Sequence, residues 1–271
     1  MRHRFLGVLA LIGVSLACTG CFQWTTVVHL NGDGSGTIDH SMLITKAALA
    51  QIRQLSALGG GRGGQSIDFA SEEQARKMAE SLGPGVTYVS SEPINTPAAE
   101  GRAAKYAFTD INTLRIGTQP DAPAGISVKT QTFSTQNGTI TCAFARDPNG
   151  NGVLKINFPE LNLQSALGNA NTGDAGITQQ LAMVRTLLAG ARILIGVEPN
   201  GQLVKTTSPF VDGPRVTLLD VNLDQVLANE ALIAKVQSAK TPDETKAALT
   251  GAPGLRIVLD REVAIEFTPA K

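Results

Sequence analysis

Apolar and polar side chains alternate with a period of two over residues 22–44. FQWTTVVHL (22–30), rich in aromatic and β-branched types, predicts a strand. Asn31-Gly32-Asp33-Gly34-Ser35-Gly36 predicts a turn, and TIDHSMLI (37–44) the antiparallel partner. Matching apolar positions predicts a register with Leu30 facing Ile38, Val28 facing His40, Thr26 facing Met42 and Trp24 facing Ile44. One face is then apolar, and the other places His29 opposite Asp39. Helical spacing follows at 45–58 (Leu49, Ile52, Leu55), ended by the loop GGGRGGQ. Ser71, with Gln74 three residues on, predicts the cap of a second helix whose apolar face is Ala75, Met78, Ala79 and Leu82.

Strands are predicted at VTYVSS (86–91) and GRAAKYAFTD (101–110), then in a meander from 126 to 158 made of ISVKTQTF, GTITCAFAR and GVLKINF. Residues 159–175 read as a linker or covering loop, and 177–189 as a helix. Strands follow at ARILIGVE (191–198), QLVKTT (202–207) and RVTLLDV (215–221), then a helix over 223–237. Thr241-Pro242-Asp243-Glu244 combines a capping Thr, a first-turn Pro and a Glu three after the cap, so a further helix starts there. LRIVLDREVAIEF (255–267) reads as a closing strand. The fold class is α+β, mostly antiparallel sheet with about four to five helices. The landmarks Asn31 and Asn200, Ser71 and Thr241, and Pro84 and Pro253 recur at offsets of 169 or 170 residues, as two similar lobes would produce. The expected organisation is a leader at 1–20, a lobe at 21–158, a linker at 159–175 and a lobe at 176–271, with the two lobes able to form one compact domain.

Composition narrows the function. Among 271 residues, 23 are basic and 23 acidic. Removing the leader with Arg2 and Arg4 leaves 21 basic side chains against 23, a net charge of −2. That balance gives no electrostatic footprint for nucleic acid. Aromatic content of 4% offers no stacking platform for sugars or bases. Cys142 alternates with Ile140 and Phe144 on the apolar side of its strand and reads as a core residue.

Several patterns imitate known sites. Asn31, Asp33, Ser35 and Asp39 with Gly36 resemble the ligand spacing of a calcium loop, but Met42 stands where a bidentate Glu belongs and the flanks are strands. A β-hairpin is the expected reading. Gly59 to Gly64 satisfies G-x-G-x-x-G but follows a helix instead of a strand. His29 and His40 become metal candidates with Asp33 and Asp39 only if the hairpin slips by one residue, which mixes its faces. No catalytic residue, metal or cofactor is therefore assigned. A carboxylate pair remains available for an envelope hydrolase, although no spacing singles one out.

The leader is more specific. Arg2 and Arg4 precede an apolar run, Phe5 to Ala17, too short to span a bilayer, which needs about 20 residues. Thr19 and Gly20 then precede Cys21. This leader resembles those of bacterial lipoprotein precursors, with Cys21 the expected lipidation site and Cys18, after Ala17, the alternative. Ordinary cleavage after Ala17 is the competing reading. The resemblance implies two or three acyl chains on the cysteine and a permanent anchor. Phe22 in place of Asp after Cys21 points toward the outer membrane rather than the inner one. The leader cysteine and Asp33-Gly34-Ser35-Gly36 are also similar to uncharacterised lipoproteins of the LppM-like kind, which implies an α+β fold and no catalytic residues. The expectation is a membrane-tethered, non-enzymatic module facing the periplasm or cell exterior and binding an envelope protein or lipid. The alternatives are a lipid carrier with a cavity between lobes, and an envelope hydrolase.

Overall fold

Strands β1 (Phe22–Leu30) and β2 (Gly36–Thr45) form the expected hairpin in a different register. The computed structural model describes residues 22–50, 71–118, 138–159 and 190–270. Observed partners are Trp24 with Met42, Thr26 with His40, and Val28 with Ile38, two residues from the apolar match. The turn sets this register. Asn31 N donates to Ser35 O at 2.8 Å and Gly34 N to Asn31 O at 3.1 Å, so Gly36 instead of Ile38 pairs with Leu30. A slip of two preserves parity, so every side chain keeps its expected face.

The other described strands are β3 (Val86–Asn95), β4 (Ala99–Phe108), β5 (Arg115–Gly117), β6 (Thr139–Arg146), β7 (Gly152–Asn157), β8 (Arg192–Pro199), β9 (Gly201–Thr206), β10 (Val211–Asp212), β11 (Arg215–Asn222), β12 (Leu255–Ile257) and β13 (Glu262–Pro269). Helix α1 spans Glu72–Ser81, α2 Leu223–Ala228, α3 Glu230–Ser238 and α4 Pro242–Leu249, and residues 46–50 are also helical. One sheet has the order β10-β11-β8-β1-β2-β4-β3, with β12 beside β11; the second runs β5-β6-β7-β13-β9. The class is α+β, as the sequence implies.

Strands from both expected lobes share both sheets. β1 pairs in parallel with β8, and β13 lies between β7 and β9. Every β1–β8 pair, from Gln23 with Arg192 to Leu30 with Pro199, repeats the offset of the sequence landmarks. Asn200 Nδ2 donates to Asn31 Oδ1 at 3.2 Å across that same separation of 169 residues. Sheet placement then differs, because β2 stays beside β1 whereas β9 crosses to the second sheet, although the caps Ser71 and Thr241 and the starts of β3 and β12 keep the offset.

Two predicted elements are divided. The helix over 223–237 breaks at Asn229, whose side chain accepts from Leu232 N and caps α3. The closing strand divides into β12 and β13, which join different sheets. The predicted helix at 177–189, the strand ISVKTQTF, the GGGRGGQ loop and most of 159–175 lie outside the described residues.

One buried cluster joins the inner faces of the two sheets: Val28, Leu30, Ile38 and Ile195 from the first, and Leu154, Ile156, Ile265 and Phe267 from the second. Each such side chain contributes about 1.5–3 kcal/mol on burial. Helix α1, capped by Ser71, lays Ala75 and Ala79 onto this cluster. There Tyr106 O–H donates to Ala75 O at 2.9 Å, which satisfies a fully buried hydroxyl. Helices α3 and α4 bury Leu232, Val236 and Leu249 in a separate small cluster. The exposed valines Val89 and Val204 are each the extra residue of a β-bulge on an edge strand, β3 and β9, where bulges discourage edge pairing.

Candidate functional site

The residues singled out in the sequence fall on three parts of the first hairpin: its turn, its outer face and its inner face. In the turn, Asp33 Oδ1 accepts from Ser35 Oγ at 2.6 Å and Ser35 N at 2.9 Å. The Ser35 hydroxyl, then its amide, hold the Asp33 carboxyl below its ordinary range. Gly34 has φ +89°, and a Cβ on Gly36 would lie 2.0 Å from His29 O and 2.6 Å from the Phe108 ring. The turn also receives Ile111 N on Gly34 O at 2.9 Å and Arg146 Nε on Gly32 O at 2.8 Å. The calcium-like spacing thus serves a turn that other segments lock in place.

On the outer face, five adjacent strands contribute one row of charges. Lys105 Nζ lies 3.2 Å from Asp39 Oδ1, Asp39 Oδ2 3.0 Å from His29 Nε2, His29 Nδ1 3.3 Å from Glu198 Oε2, and Glu198 Oε1 2.7 Å from Arg215. The row crosses β4, β2, β1, β8 and β11. Of the two carboxylate contacts of His29, the one from Nε2 to Asp39 is a hydrogen bond and the one from Nδ1 to Glu198 is an approach at ion-pair distance. Arg215 reaches Glu198 by laying its aliphatic stem over Gly196, where a Cβ would sit 3.2 Å from it. Exposed pairs of this kind contribute about 0–1 kcal/mol each.

The inner face holds His40, 8% exposed. Its Nδ1 lies 3.0 Å from Thr26 Oγ1, and the Trp24 ring meets it edge-on with centroids 6.1 Å apart. Burial pushes the ring down to about 4, so it is neutral near pH 7. Cys142 is buried and unpaired, and burial pushes its thiol up to about 12.

His29 and Asp39 therefore meet as diagonal neighbours instead of the directly opposite pair expected, since Thr37 faces His29 and Val27 faces Asp39, while His40 lies on the opposite face and Asp33 is engaged in the turn. Among the described residues no three His, Cys, Asp or Glu side chains converge to hold a metal ion. Lys105, Glu198 and Arg215 were not singled out by the sequence. The alternation in ARILIGVE puts Glu198 on one face of its strand, but no local signal says that this strand lies beside β1. Cys18 and Cys21 lie outside the described residues.

Fold and site define a two-sheet α+β protein with an ion-paired hairpin at the centre of its larger sheet. The chain matches no family model and no curated protein. Among solved structures it is similar to the NMR structure of the folded domain of Mycobacterium tuberculosis LppM, at a TM-score of 0.34 and 8% identity, over 93% of this chain and 91% of that one. No helix among the described residues is long and apolar enough to cross a membrane.

Proposed function

We propose that the chain is a lipid-anchored, extracytoplasmic bacterial lipoprotein whose folded part is a non-enzymatic binding module of the cell envelope. The observation that carries this reading is the leader: Arg2 and Arg4, the apolar run Phe5 to Ala17, and Cys21 directly before the first residue of β1. Side chains of the hairpin and of β6 support the non-enzymatic half. His29 is engaged by two carboxylates, Asp33 by Ser35 and His40 by Thr26, and the Cys142 thiol is held protonated. The bound component is an envelope protein or a lipid. A carrier cavity between two lobes is the less favoured form, because the strands of the two segments are interleaved in shared sheets.

Cys21→Ser should move the protein from the membrane to the soluble fraction and abolish palmitate labelling, while Cys18→Ser leaves both unchanged. The opposite pattern would assign the anchor to Cys18. Release by neither substitution would overturn the lipid-anchor reading.

A further inference from the structure

The first strand carries a consequence for how such a protein stands on its membrane. β1 begins at Phe22, one peptide bond after Cys21, so no linker separates a lipidated Cys21 from the sheet. Phe22 is not a frayed end. It pairs with Ile44, which pairs with Glu100, and Gln23 pairs with Arg192 on the other side. The start of β1 is thus fixed between β2 and β8 at the middle of the larger sheet. This end is also closed by backbone bonds, Lys46 N to Ala98 O at 2.9 Å and Leu223 N to Ala191 O at 2.9 Å.

We infer that the sheet end at which β1 begins is a membrane-docking face whose partner is a lipid surface, so that β1 rises away from the bilayer and the turn end faces outward. The inference rests on the proposed anchor at Cys21. At about 3.3 Å per residue, Trp24 lies about 10 Å along the strand from residue 21, and Leu30 about 30 Å. The far end is the one bound together by Asn31, Arg146, Asn200 and Ala270, through Asn200 Nδ2 on Asn31 Oδ1, Arg146 Nε on Gly32 O and Ala270 N on Asn200 O. Two described basic side chains near this end are engaged within the protein and do not set its orientation. Lys46 at the near end is bonded to Asn95, and Arg192 to Asp220. Tether length sets it: acyl chains held in the bilayer by a cysteine in peptide linkage with Phe22 bring the strand's first residues to the headgroup level.

The chain has a single tryptophan, Trp24, at this end. It is 3% exposed, so its emission reports distance from the membrane and not insertion into it. The full-length lipidated protein would be added to phosphatidylethanolamine–phosphatidylglycerol vesicles doped with dansyl-labelled phosphatidylethanolamine. Sedimentation then reports anchoring, and energy transfer from Trp24 reports orientation. Strong transfer is expected, falling severalfold when a long Gly-Ser linker is inserted between Cys21 and Phe22, with sedimentation unchanged. A second reporter, Trp24→Phe with Ala270→Trp, should transfer weakly. The linker insertion leaves the core intact and keeps the test decisive if Trp24→Phe destabilises the fold. Sedimentation with weak, linker-insensitive transfer from Trp24, or with equal transfer from both ends, would overturn the docking face while leaving the anchor standing. Failure to sediment would overturn the anchor, and the docking face with it.

Discussion

His40 shows how a buried polar residue ties stability to pH. Its ring is neutral in the fold and held there at about 4, against an ordinary 6.5, because burial penalises the imidazolium. Between those two values the unfolded chain takes up a proton that the folded one refuses, so stability falls as pH falls from 6.5 toward 4. Below about 4 both states carry the His40 proton and its contribution to the dependence ends. The full loss is about 3 kcal/mol. Urea unfolding at a series of pH values should show this decline, and the double variant Thr26→Val/His40→Leu should lack it. Replacing both partners avoids leaving the Thr26 hydroxyl unpaired beside an aliphatic side chain. An unchanged slope in the double variant would place the titrating group elsewhere.

At the scale of elements, the first hairpin is held by its turn. Gly36→Ala should cost about 3 kcal/mol or more, because its Cβ would meet the His29 carbonyl and the Phe108 ring, and the backbone would have to move. Gly150→Ala is the control: it has φ +85° but nothing within 4 Å of the added carbon, so its cost should be about 1 kcal/mol. Equal urea midpoints for the two variants would refute the close-approach argument. The same hairpin shows what a sequence can carry. Its strands and the parity of its faces, which puts His29 and Asp39 on one side, were legible because alternation and turn chemistry are local. Its register was not, because apolar matching cannot see the Asn31–Ser35 closure that shifts it by two residues. The caps at Ser71 and Thr241 were legible for the same local reason, each side chain accepting from the amide three residues on. Glu198 and Arg215 were not legible as site residues, because β8 reaches His29 through a parallel pairing with no connecting turn. The split of 255–267 was hidden too, since an apolar run that changes sheets reads like one that does not.

At the scale of the whole molecule, the interleaving of strands predicts that the first half of the chain does not fold alone. A fragment of residues 22–158 would keep β1 to β7 but lose β8 from the flank of β1 and β13 from the flank of β7. Both flanks would become open edges with unpaired backbone groups. The inner faces would lose Ile195, Val197, Ile265 and Phe267, all buried in the shared cluster. At about 1.5–3 kcal/mol for each, that loss is comparable to the whole stability of an ordinary domain, about 5–15 kcal/mol. The fragment should therefore melt without a cooperative transition and show little amide protection. Adding residues 190–271 as a second fragment should restore both, since the two pieces meet along the β1–β8 and β7–β13 ladders. A cooperative, protease-resistant 22–158 fragment would instead show that the first segment is a domain in its own right. The parallel β1–β8 ladder would then be an interface between two folding units instead of the centre of one.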